Sequence, residues 1–179
     1  AAMGNQGSIT LCDLDMARLY QAKKRLARAG VTIGKTRLVA RENDPWIAGQ
    51  VDAFDRVLVD APCSGSGAWR RHPEARLRLT KARFDEFCVL QRDLLLKAAL
   101  LVRPGGRLIY ATCSLFKDEN QEAVDAFLDQ RNDYKALTIE SIWQETLSES
   151  CPGKGSSLQL TPFRNGTDGF FVTILERKN

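Results

Sequence analysis

A chain of 179 residues has the size of one hydrophobic core, or of a large piece of one. Its 44% hydrophobic and 27% charged residues match an ordinary globular protein, and no stretch approaches the ~18–20 consecutive apolar residues of a bilayer span, which excludes a membrane-spanning role. Five cysteines without a C-x-x-C pair and a single histidine, His72, exclude a small disulfide scaffold and leave too few soft ligands for zinc, so no metal is expected; the net charge is only +4.

The segment Ala1–Gly7 has no basic region followed by an apolar run, so nothing reads as a secretory signal and the expected compartment is the cytoplasm. Ser8–Cys12 is short and β-compatible, and Asp13-Leu14-Asp15 leads into Met16, Leu19, Tyr20, Lys23, Leu26 and Ala27 at helical spacing, stopped by Gly30. A second strand is expected over Thr36–Ala40 and a third over Arg56–Val59, which ends in Asp60-Ala61-Pro62-Cys63. Phe84–Val102 is the longest helical pattern, with Phe87, Leu90, Leu94, Ala98 and Leu101 on one stripe and Pro104-Gly105-Gly106 closing it. Arg107–Ala111 reads as a strand, Lys117 or Asp118 to Gln130 as a helix, Ala136–Ile139 as a strand, Glu145–Ser156 as a loop, and Phe170–Glu176 as the last strand. The alternation predicts an α/β fold with a parallel, doubly wound sheet, whose ligands sit at the carboxyl ends of the strands. Neither an internal repeat nor a coiled-coil heptad is present, so a monomer is expected.

Several residues then fall where chemistry is done. Asp13, closing the first strand, is placed to accept hydrogen bonds from the hydroxyls of a ribose, whereas Asp15 reads as a helix N-cap. Glu42 and Asn43 follow the second strand, where either an adenine contact or an ordinary turn before Pro45 fits. Asp60-Ala61-Pro62-Cys63-Ser64-Gly65-Ser66-Gly67 is more specific, because it sets an acid, a rigid proline and a thiol on a glycine-bearing loop at a strand end. Cys12, Cys88 and Cys151 read as small buried hydrophobes. Cys113, in Ala111-Thr112-Cys113-Ser114, ends another strand, and in a doubly wound sheet its loop opens on the same edge as that of Cys63. Two thiols and a carboxylate then converge. Between them, Trp69–Arg83 carries Arg70, Arg71, Arg76, Arg78, Lys81 and Arg83 against Glu74, six charges against one for a net of +5. That concentration suits a polyanion-binding face, although a solvated helix face has the same composition.

The stretch Asp60-Ala-Pro-Cys-Ser-Gly65, the Arg70-Arg71-His72-Pro73 segment, a Gln91-x-x-Leu-Leu helix, Pro104-Gly-Gly-Arg-Leu-Ile-Tyr-Ala-Thr-Cys-Ser114, Glu119-Asn120-Gln121 and Gly166-Thr-Asp-Gly-Phe-Phe171 together resemble the Nop/Sun RNA (cytosine-5)-methyltransferases, over about Ser8 to Lys178. The resemblance implies a Rossmann-like, S-adenosylmethionine-dependent methyltransferase fold whose mostly parallel sheet carries a C-terminal antiparallel strand. Cytosine carbon 5 is not nucleophilic until a thiolate adds at carbon 6, so covalent catalysis is required. By resemblance Cys113 is that nucleophile, Cys63 assists release of the methylated base, and Asp60 binds the N3/N4 edge of the cytosine and borders the cofactor. S-adenosylmethionine is held by Asp13, Glu42 and Asn43, and RNA by Arg70, Arg71, His72, Arg76, Arg78 and Lys81, with Trp69 and His72 able to approach the displaced base. Ribosomal RNA is the first expectation for the substrate and transfer RNA the second.

The family's glycine-rich cofactor loop, which follows a central first strand, does not occur in these 179 residues. They are therefore expected to form a single methyltransferase domain, 1–179, that belongs to a longer polypeptide with its first strand and an RNA-binding region upstream, which leaves the activity of the isolated chain open. Other readings are weaker. A DNA cytosine-5 methyltransferase attacks through its Pro-Cys thiol and needs no Thr-Cys-Ser cysteine; a noncatalytic RNA-binding or assembly module gives no reason for Asp60, Cys63 and Cys113 to converge; and one histidine gives little scope for a hydrolase triad.

Overall fold

A computed structural model describes residues 3–39 and 44–179, which divide into two compact units, Ala1–Gly49 and Gln50–Asn179. Glu42 and Asn43 lie outside the described residues.

In the first unit β1 (Ile9–Asp13) and β2 (Gly34–Leu38) form a parallel pair, with Asp13 opposite Leu38, joined through α1 (Met16–Arg28); α2 (Pro45–Ala48) follows. Asp15 caps α1 as expected, its side chain accepting from the Ala17 N–H, and Gly30 closes the helix in the left-handed region at φ +68°. The second strand begins two residues earlier than its β-branched content suggests, at Gly34, which pairs with Ile9 and packs so close to Leu26 that a Cβ would come within 2.7 Å of a Leu26 methyl.

The second unit contains β3 (Phe54–Asp60), α3 (Pro73–Arg78), α4 (Lys81–Leu101), β4 (Val102–Thr112), α5 (Gln121–Gln130), β5 (Tyr134–Ala136), α6 (Ile139–Thr146), β6 (Ser157–Leu160), α7 (Pro162–Asn165) and β7 (Phe170–Arg177). The sheet order is β3-β4-β7-β5, with β6 also on β7. β3 and β4 are parallel; β7 is antiparallel to β4, β5 and β6, so the other four strands share one direction and the C-terminal strand alone is reversed. This is the mostly parallel sheet, with a reversed last strand, that the sequence leads one to expect.

The structure moves several boundaries. α4 stops at Leu101 and β4 starts at once, so Pro104-Gly105-Gly106 does not cap the helix; it forms a bulge in the β3–β4 ladder, where the register jumps from Phe54↔Val102 to Arg56↔Arg107. Gly105 takes φ +72° there. The buried stripe of α4 is Gln91, Leu95, Ala98 and Ala99, rotated from the apolar stripe in the sequence because Gln91 is drawn inward by polar partners described below. β5 ends at Ala136, although Leu137 N–H still bonds Ile174 O at 2.9 Å; α6 starts at Ile139, and β6 emerges next to a segment whose polarity suggests only loop. The core lies between the sheet and helices α4 and α5, with Leu95, Leu108, Tyr110, Phe127 and Leu175 at most 1% exposed. Each such side chain contributes about 1.5–3 kcal/mol relative to exposure. Buried hydroxyls are satisfied by carbonyls, Tyr134 Oη donating to Ala99 O at 2.8 Å and Tyr110 Oη to Glu119 O at 2.6 Å.

Candidate active site

Because β3 and β4 are parallel and Asp60 pairs with Ala111, both chains leave the sheet at one edge. Ala61 N–H still bonds Ala111 O at 2.9 Å, so the loops after the two strands start side by side. Gly65, at φ +68°, turns the first loop into a 3-10 turn at Ser66–Ala68. Gly67 N–H then donates to Cys113 O at 2.9 Å, and Gly169 N–H donates to Gly67 O at 2.9 Å. These backbones approach so closely that a Cβ on Gly67 would lie 2.6 Å from Gly169 Cα.

The two loops bring Cys63 Sγ and Cys113 Sγ to 3.4 Å. Cys113 is exposed and Cys63 is half-buried. Two thiols at this distance share one proton more readily than they lose two, and the less solvated sulfur keeps it. The hydrogen bond from Cys63 lowers the Cys113 thiol to about 7 against the opposing effects of burial and of the Asp60 charge. The Cys63 thiol is pushed well above the usual range by that same bond and by burial. Of the two sulfurs, the one that faces solvent thus ionises first and the half-buried one keeps its proton, with the exposed carboxylate of Asp60 at the end of β3.

Asp13 ends β1 in the first unit; its Oδ1 accepts the Asp15 N–H at 2.8 Å, which fixes the carboxylate at the strand end, and its other oxygen makes no hydrogen bond with the described residues. An anchored carboxylate with an uncommitted oxygen fits the hydroxyls of a ribose.

The basic segment is less free than its composition suggests. Asp168 pairs with both Arg70 (3.5 Å) and Arg71, Lys81 is tied to Asp85, and Arg83 Nη1 lies 2.9 Å from Glu86. His72 Nδ1 is 3.6 Å from Glu74, and the Arg76 guanidinium is 6.0 Å from the centre of the Trp69 ring. Arg78 makes no ion pair among the described residues. Trp69 is half-buried: its Nε1–H donates to Ser64 O at 3.3 Å and its ring packs edge-on against Phe116. Among the remaining cysteines, Cys12 is exposed rather than buried and Cys88 and Cys151 are half-buried.

Sequence reasoning overlooked the layer behind the thiols. Ser64, Ser66, Ser114, Gln91 and Glu119 are all buried there. Gln91 carried a signal: it occupies position i of an i, i+4, i+7, i+8 stripe that is otherwise Leu95, Ala98 and Ala99, and a polar side chain in a core stripe needs a buried partner.

Together these features define a Rossmann-like methyltransferase, a class to which solved structures add direct comparison. The crystal structure of PH0851 superposes with a TM-score of 0.83 at 38% identity, over 98% of this chain and 38% of that one. NSun6 from Pyrococcus horikoshii, solved with SFG, gives 0.78 at 25% identity, over 98% and 42%. The family model for the 16S rRNA methyltransferase RsmB/F matches residues 1–176, and the chain belongs to that family. It is 35% identical to the probable ribosomal RNA small subunit methyltransferase B of Bacillus subtilis (strain 168), covering 98% of this chain and 39% of that protein, so the chain spans about two fifths of its relative.

Proposed function

We propose that the protein containing this chain methylates carbon 5 of a cytosine in RNA, small-subunit ribosomal RNA first, through a covalent adduct between Cys113 and carbon 6. The observation that supports this most is the thiol pair: a solvent-facing sulfur with a depressed pKa, 3.4 Å from a protonated one, at the carboxyl end of adjacent parallel strands. Cys113 attacks as thiolate. Asp60 orients the cytosine by its N3/N4 edge and favours the charge that develops there as the carbon–sulfur bond forms. S-adenosylmethionine, when bound, supplies the methyl group, and Asp13 on its ribose, with Glu42 and Asn43, is proposed to hold it. Loss of the carbon-5 proton then allows the carbon–sulfur bond to break, a step in which Cys63 assists. Arg70, Arg71, His72, Arg76, Arg78 and Lys81 hold RNA phosphates, and among the described residues Arg76 and Arg78 are the members not already engaged by a protein acid.

The test is the fate of the adduct in the full-length protein with S-adenosylmethionine and target RNA. Cys63→Ala should add to the base, transfer the methyl group and stall, leaving a protein–RNA species that migrates slowly on a denaturing gel, while Cys113→Ala should form none. Trapping should be easiest with loop or single-stranded RNA, because a paired base costs a few kcal/mol to unstack. An adduct formed by Cys113→Ala and absent from Cys63→Ala would reverse the assignment. Mapping 5-methylcytosine in cells with and without the protein separates ribosomal from transfer RNA.

A further inference from the structure

Glu119 has no solvent exposure and enters no ion pair among the described residues. A carboxylate buried without a cation is costly unless donors surround it, and a fold seeking only stability would place an apolar side chain there. What surrounds this one is specific. Its Oε1 accepts the Ser64 N–H at 2.8 Å and the Gln91 Nε2–H at 3.0 Å, and its Oε2 accepts the hydroxyls of both Ser64 and Ser114. Ser64 follows Cys63 in the chain and Ser114 follows Cys113.

Each hydroxyl has a single proton, and both are spent on Glu119. Ser114 Oγ is left to accept from Ser66 Oγ–H at 3.1 Å and Phe116 N–H at 3.0 Å, so the 3.3 Å contact between Ser64 Oγ and Ser114 Oγ carries no hydrogen bond of its own. These two residues are joined through the carboxylate. Neighbours complete the bracket around each cysteine: Gln91 Nε2 also bonds Pro62 O at 2.8 Å, and Asn120 bonds Thr112 Oγ1 at 2.6 Å and Ser114 O at 2.9 Å. Asn120 thus bonds the backbone beside Cys113 and Gln91 the backbone beside Cys63, while Glu119 binds the serine that follows each cysteine. Tyr110 fixes its backbone to β4.

We propose that Glu119 is a positioning residue that sets the distance between Cys63 and Cys113 by binding, with one carboxylate, the serine after each. Its catalytic meaning rests on the thiol roles proposed above, but the separation it sets can be read without RNA or cofactor. The readout is the equilibrium between the dithiol and a Cys63–Cys113 disulfide in a glutathione buffer, in which one oxidised glutathione yields two reduced molecules as the two protein thiols become one disulfide. That equilibrium measures the effective concentration of one thiol at the other.

Glu119→Ala should lower this effective concentration at least tenfold in protein whose circular dichroism is unchanged. Glu119→Gln should restore most of it, because the amide can accept from the Ser64 N–H and donate to both serine oxygens. If Glu119→Ala does not fold, Ser114→Ala cuts only the Cys113 arm and should show the same fall. A folded Glu119→Ala, or failing that Ser114→Ala, with the wild-type equilibrium would overturn the proposal. An expected fall here combined with no trapped adduct in Cys63→Ala would leave the clamp standing and remove the methylation chemistry.

Discussion

Replacing Cys63 by alanine removes the donor that keeps Cys113 ionised, so the Cys113 thiol should return toward its ordinary value of 9.0 from about 7. At pH 7 about half of Cys113 is thiolate with the donor in place and about 1% without it, a roughly 50-fold loss of the reactive form. The sign for nucleophilicity is opposite. With a Brønsted slope of about 0.4–0.5, a thiol two decades less acidic gives a thiolate roughly sixfold to tenfold more reactive. Alkylation of Cys113 at pH 7 should therefore slow by roughly five- to eightfold in the variant, whereas in alkaline solution, where both forms are ionised, the variant should react faster by the full roughly sixfold to tenfold. Iodoacetamide labelling followed at the Cys113 peptide by mass spectrometry across pH gives both limbs and separates Cys113 from the exposed Cys12. Superimposable pH profiles for the two proteins would show that the sulfurs do not share a proton, and the division of labour between them would lose its basis.

Gly67→Ala should destabilise the second unit by about 1–3 kcal/mol in urea unfolding, since its Cβ would meet Gly169 backbone that cannot rotate aside; an unchanged midpoint would mean the two loops part without cost. Asp13→Ala in the full-length protein should weaken S-adenosylmethionine binding by about 1–3 kcal/mol, measured by calorimetry, with equal affinity showing that Asp13 only ends a strand. Arg70→Ala with Arg71→Ala should reduce the salt dependence of RNA binding, but because Asp168 already offsets both arginines the log–log slope should change by nearer about 0.7, one single-strand phosphate contact, than by twice that. No change in affinity or slope would make the segment a solvated surface.

The thiol pair was legible in the sequence because it depends on a rule of topology: parallel strands deliver their carboxyl ends to one edge, so Pro62-Cys63 and Thr112-Cys113 meet whatever lies between them. The capping of α1 by Asp15 was legible for a local reason, a short acceptor beside free N–H groups. Glu119 was not, because Glu119-Asn120-Gln121 before an apolar helix reads equally well as an ordinary helix start, and its partners come from residues 28 to 55 positions away in sequence, plus Ser114 close by. The charge balance around Trp69–Arg83 was legible only in part, for a similar reason. A window along the chain counts Glu74 but not Asp168, which the β6–β7 connection carries to Arg70 and Arg71.

β7 meets the cysteine edge with its beginning rather than its end, Phe171 lying opposite Thr112. Residues 161–169, of which Gly169 bonds Gly67 of the Cys63 loop, are thus the tip of a hairpin whose two legs are tied together at Leu160 and Phe170. A hairpin tip can lengthen, shorten or change its side chains without displacing either leg, whereas each cysteine loop is held in place by the strand it leaves. Phe163, 98% exposed, stands on that tip. Sequence change can therefore accumulate on a segment distinct from the two cysteine loops, with Gly169 and Gly67 as the point beyond which variation would be felt by Cys63 and Cys113.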